Sequence, residues 1–81
     1  MRLSQIQDFI AVAEGGSIRA AARMREVSAL ALTRSIRQLE DELHVPLLTH
    51  TPRGMVLSHD GKVLLRVARD SKKGRDVLAA L

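Results

Sequence analysis

Apolar residues return at three- and four-residue intervals over the first half of the chain, as helices with one buried stripe require. Ser4-Gln5-Ile6-Gln7 reads as a capping box, so a helix is predicted to start there and to bury Ile6, Phe9, Ile10 and Ala13. The pair Gly15-Gly16 ends it, and Ser17 caps a second helix from 18 to about 25. Its run Ala20-Ala21-Ala22 combines high helix propensity with side chains small enough for close helix–helix approach. Ser28 caps a third helix reaching Leu43, with Leu32, Ile36, Leu39 and Leu43 as its buried stripe.

The pattern then changes. Leu47 to His50 and Met55 to Ser58 are strand-like runs around Thr51-Pro52-Arg53-Gly54, which has Pro second and Gly fourth, as type I turns favour. A hairpin is predicted with Arg53 at its tip. Ser58 as cap and Asp60 in the first turn introduce a last helix running towards Leu81. Leu64, Ser71 and Leu78 occupy one heptad position and Val67, Gly74 and Leu81 the other, a seam for a partner helix with a weak middle at Ser71 and Gly74. The expected fold is mainly α: a three-helix core and a short hairpin wing over residues 1–58, then a linker or dimerisation helix over 59–81.

With 81 residues there is room for one domain, burying only roughly 60–70% of the surface of the unfolded chain, so a deep enclosed catalytic pocket is not expected. The absence of cysteine excludes disulfides, thiolate chemistry and cysteine-ligated metal sites. His44, His50 and His59 lack the i, i+4 spacing of a helical ligand pair, no Gly-rich phosphate loop is present, and no nucleophile has a base beside it. Neither enzyme nor cofactor is therefore expected. The apolar run Phe9 to Ala13 is too short for a membrane span, so the expected setting is cytoplasmic, with no membrane partner.

Charge gives the composition a direction. Thirteen Lys and Arg against nine Asp and Glu leave +4, which suits a polyanionic partner. The excess is segregated: residues 19–37 carry +4 and 53–75 carry +5, whereas 38–52 carry −3 from Glu40, Asp41 and Glu42. Such blocks suit a body with one DNA-facing side, provided the fold brings the basic ones together. On the third helix, roughly 140° from the buried stripe by the 3.6-residue period, lie Leu30, Thr33, Arg34 and Arg37. Arg can take guanine O6 and N7 together, and Thr or Leu can touch a thymine methyl. Phosphates would repel the acidic triplet, so the N-terminal half of this helix is the end expected to approach a duplex.

Helix, helix, turn, long helix, hairpin, long helix is the order of a winged helix-turn-helix. The sequence resembles the N-terminal DNA-binding domain of LysR-type transcriptional regulators along essentially its whole length. The likeness rests on Leu3-Ser4-Gln5-Ile6, on Gly16-Ser17-Ile18-Arg19-Ala20-Ala21-Ala22-Arg23, and on Leu32 to Glu40, followed by Val45-Pro46-Leu47 and Thr51-Pro52-Arg53-Gly54. It implies a bacterial regulator whose third helix enters the major groove, whose wing touches the flanking minor groove, and whose last helix forms a homodimer on a pseudo-palindromic operator. It further implies a separate effector-binding domain, which these residues do not include, and a higher oligomer only for a full-length protein. Carried over by position, the DNA contacts fall on Ser28, Ala29, Leu30, Thr33, Arg34 and Arg37 and on Thr51, Pro52 and Arg53, and the dimer contacts on Leu64, Val67, Ser71, Leu78 and Leu81.

Several positions depart from the family pattern. Ala29-Leu30 stands where Gln-Pro is usual, removing an amide able to pair with adenine. Arg25-Glu26 replaces Leu-Gly in the turn before the third helix, with Met24 expected to rotate in as an apolar substitute. His44 replaces a helix-ending Gly, Leu48 a Phe and His50 a wing Arg. The apolar tip keeps a second expectation open, a sequence-indifferent DNA coater or a dimerising module with weak base readout.

Overall fold

The computed structural model describes residues 1–70. Four helices and one hairpin follow in the order α1 (Leu3–Gly15), α2 (Ile18–Arg25), α3 (Ala29–Leu43), β1 (Leu48–Thr51), β2 (Gly54–Leu57) and α4 (His59–Asp70).

The helix ends are set locally. Ser17 Oγ accepts from the Ala20 N–H at 3.1 Å and Ser28 Oγ from the Ala31 N–H at 3.0 Å, the two N-caps expected from sequence. Helix α1 differs: its cap is Arg2, not Ser4, and Gln5 rather than Gln7 reaches back, its Oε1 accepting from the Arg2 N–H at 2.8 Å. Arginine has no side-chain acceptor, so only this returning arm of the box is available. Gly16 closes α1 at φ 77, while the next two helices end on left-handed residues that are not glycine, Glu26 at φ 57 and His44 at φ 59. Their N–H groups still reach back, Glu26 to Arg23 O and His44 to Glu40 O, so the bonding of a helix end survives without glycine at the favoured position.

Helix α1 is the spine of the domain. On one side Ala11 and Val12 pack with Ala21, Ala22, Leu32 and Ile36. On the other, Phe9 joins Leu39, Leu47 and Leu65, and Ile6 meets Ala68 of α4. Leu43, expected in the buried stripe of α3, is only half-buried. The strands pair antiparallel from Leu48 with Leu57 to Thr51 with Gly54, so β1 begins one residue later and β2 ends one residue earlier than the apolar runs suggest. The reason is that Leu47 is taken into the core and Ser58 is taken as a cap: Ser58 Oγ accepts from the Gly61 N–H at 3.0 Å.

Candidate nucleic-acid interface

The candidate surface is built on α3. With Leu32, Ile36 and Leu39 fully engaged in the core, the opposite side of the helix must face outward, and Leu30, Arg34 and Arg37 are exposed there. By the helical period these three lie within an arc of roughly 60°. Ser28, Ala29 and Ala31 are exposed at the same end, and Thr33 is half-buried at its flank. The hydroxyls here are already engaged: Ser28 Oγ caps the helix, and Thr33 Oγ1 donates to Ala29 O at 2.9 Å.

Beside α3 stands the hairpin, separated from it by a groove of about 430 Å³ that Thr33, Arg37 and Glu40 line from one side and His50 and Met55 from the other. Thr51 shapes the tip rather than presenting itself, since its Oγ1 donates to Gly54 O at 2.7 Å and accepts from the Arg53 N–H at 3.3 Å. Pro52 and Arg53 are left exposed at the end of the turn. Among the described residues, ion pairs engage Arg25, Arg69 and the N-terminal ammonium; Arg19, Arg23, Arg34, Arg37 and Arg53 enter none of them and are all exposed. These five guanidinium groups are thus available to an external anion.

The acidic segment has two roles that its charge alone did not reveal. Glu40 is not simply turned away: its Oε2 accepts from the N–H groups of Leu47 and Leu48 at 2.7 and 3.3 Å, tying the start of β1 to α3. Glu42 pairs with the Met1 ammonium, and hydrogen bonding to that group holds its carboxyl below the ordinary glutamate range.

The turn before α3 also differs from expectation. Met24 does not rotate in; it stays 62% exposed. Arg25 instead folds back on Asp8 of α1, with Nε 2.8 Å from Asp8 Oδ1, and Ser35 Oγ of α3 donates to Asp8 Oδ2 at 2.7 Å. One buried carboxylate therefore joins the first three helices, and both of its oxygens are satisfied. Sequence reading missed Asp8 and Ser35 because their partners lie 17 and 27 residues away. The usable signal was a charged residue, Arg25, at a position expected to be packed.

On α4, Leu64 is half-buried and Val67 is 46% exposed, and both border an apolar groove with Met1, Leu43, Val45 and Val63. Ser71, Leu78 and Leu81, the remaining residues of the expected dimer seam, lie outside the described residues. Within those described, no helix is long and apolar enough to cross a membrane.

Comparison with known proteins agrees with this architecture. Residues 3–62 match the family model for bacterial regulatory helix-turn-helix proteins of the lysR family. The HTH-type transcriptional regulator ClcR of Pseudomonas putida is 45% identical over 69 residues, which cover 85% of this chain and 24% of that protein. The chain thus spans about a quarter of the length of such curated relatives. Among solved structures, the CbnR DBD–DNA complex superposes with a TM-score of 0.80 at 41% identity, over 86% of this chain and 80% of that one. The BenM DBD in complex with benA site 1 DNA gives 0.85 at 28% identity, over 99% and 93%. With its helix order, its hairpin and most of its length matched, the chain belongs to the lysR family of bacterial regulatory helix-turn-helix proteins.

Proposed function

We propose that this chain is the DNA-binding domain of a LysR-type transcriptional regulator and binds double-stranded DNA sequence-specifically. The observation that carries the reading is the outward face of α3, where Arg34 and Arg37 are exposed, outside the ion pairs formed among the described residues, and one turn apart. Placed in a major groove, Arg34 is positioned to take guanine O6 and N7, with Arg37 beside it, while Ser28, Ala29, Leu30 and Thr33 meet the base edges at the leading end. Arg53 at the hairpin tip reaches the adjacent minor groove or its phosphates, with Thr51 and Pro52 holding the turn that presents it. DNA complexes of the related CbnR and BenM domains support the reading.

The partner copy is taken up by α4. The apolar groove flanked by Leu64 and Val67 supports a seam there, and Ser71, Leu78 and Leu81 continue its spacing in the sequence. Two copies would then read a pseudo-palindrome with half-sites about 34–36 Å apart or a multiple of that. Selection of bound duplexes from a random-sequence pool at near-physiological salt tests the reading. A dyad-symmetric motif is the expected product; binding without enrichment would replace sequence reading by phosphate-driven coating.

A further inference from the structure

The leading end of α3 is chemically unlike the rest of its outward face. From Ala29 to Thr33 it offers no side-chain N–H, the Thr33 hydroxyl proton is given to Ala29 O, and the Ser28 oxygen is committed to the Ala31 N–H. What remains is Leu30, 61% exposed, between the methyl groups of Ala29 and Ala31. A lone exposed leucine needs no explanation. This one shares its face with Arg34 and Arg37, so a polyanion drawn to those guanidinium groups brings its own surface against Leu30.

The apolar feature of a B-DNA major groove is the methyl group on pyrimidine C5, carried by thymine and equally by 5-methylcytosine. We infer that Leu30 is a specificity-determining residue that seats a pyrimidine C5 methyl group. This rests on the DNA-binding reading above. Leu30 and Arg34 stand about 6 Å apart along the helix axis, and base pairs are spaced by about 3.4 Å. The methylated pyrimidine therefore lies one or two base pairs from the guanine taken by Arg34. With no side-chain N–H from Ala29 to Thr33, the contact that Leu30 offers is burial of a methyl group, so the preference it imposes is for the methyl itself rather than for one base.

The test uses the selected duplexes and the whole chain, with affinities followed by fluorescence anisotropy at one near-physiological salt concentration. Each thymine is replaced singly by deoxyuridine, which lacks only the methyl. One position per half-site should weaken binding about fourfold, the equivalent of about 0.8 kcal/mol for a buried methylene-sized group. At that position 5-methylcytosine should bind more tightly than cytosine by a similar factor. In Leu30→Ala, which removes an exposed side chain, both methyl effects should vanish while the guanine preference assigned to Arg34 stays. Sequence-selective binding that no deoxyuridine alters, or a methyl effect that persists in Leu30→Ala, overturns the inference and leaves the DNA-binding reading intact. Failure to select any sequence overturns both.

Discussion

Arg25 illustrates how a charged residue can occupy a position that packing would fill. Its Nε meets a carboxylate on another helix, and the same carboxylate accepts the Ser35 hydroxyl, so Asp8 is buried without an idle oxygen. Removing one member of such a group leaves another desolvated and unpaired, which costs more than the intact pair contributes. Asp8→Ala is expected to lower unfolding stability by about 1–3 kcal/mol, with Arg25 partly able to turn to water, and Arg25→Leu in that background should restore part of the loss. Urea titration of the single and double variants measures both. The outward arginines behave differently because no ion pair among the described residues compensates them. Arg34→Ala should leave the urea midpoint almost unchanged while costing about 1–3 kcal/mol on a selected site and relaxing base preference there. Equal losses on selected and random duplexes would remove Arg34 from base reading.

Between elements, a close steric constraint lies where α4 crosses the start of the hairpin. Gly61 is buried in the first turn of α4, and a Cβ added to it would overlap Leu47 O, a backbone atom that cannot swing aside. The same carbonyl accepts the Ser58 N–H at 2.9 Å, so the crossing is fixed by a hydrogen bond as well as by close approach. Gly61→Ala sets a helix-propensity gain of about 1 kcal/mol against this overlap. The overlap wins: relief requires the backbone to shift, and overpacking of this kind costs about 1–3 kcal/mol. A lowered thermal midpoint is expected, together with chemical-shift changes in β1 rather than in α2. An unchanged or raised midpoint would mean that α4 slides freely on the hairpin. Glu40 acts on the same joint from the other side by binding the N–H groups of Leu47 and Leu48.

Over the whole domain, exposed basic side chains are contributed by three elements. Arg34 and Arg37 come from α3, Arg19 and Arg23 from α2, and Arg53 from the hairpin, all exposed. Binding through such a surface must weaken with salt, and deleting one cation that neutralises a phosphate should reduce the slope of log K against log salt by about 0.9. Arg53→Ala is therefore expected to flatten that slope by nearly one unit with the selected sequence unchanged, as a salt titration of both proteins reads. The proposed self-association belongs to the same level. Val67→Glu puts a charge on the rim of the apolar groove of α4 and should move the sedimentation equilibrium of the chain towards monomer without altering its helical content.

Periodicity and capping carried most of the fold into view, because both act over a few residues. The stripe Leu32, Ile36 and Leu39, the caps Ser17, Ser28 and Ser58, and the turn around Pro52 and Arg53 are each legible within one stretch of chain. Helical geometry likewise sets Leu30, Thr33, Arg34 and Arg37 on one face of α3, where Thr33 is half-buried at the flank and the other three are exposed. The joints between stretches were not legible. Asp8 beneath Arg25 and Ser35, Glu40 on the hairpin amides and Gly61 against Leu47 O all depend on which distant groups a folded chain brings within hydrogen-bonding or steric reach. A local pattern specifies a residue's direction; its partner is specified by the mutual burial of whole elements, and that burial follows from packing the entire core and satisfying every polar group at once.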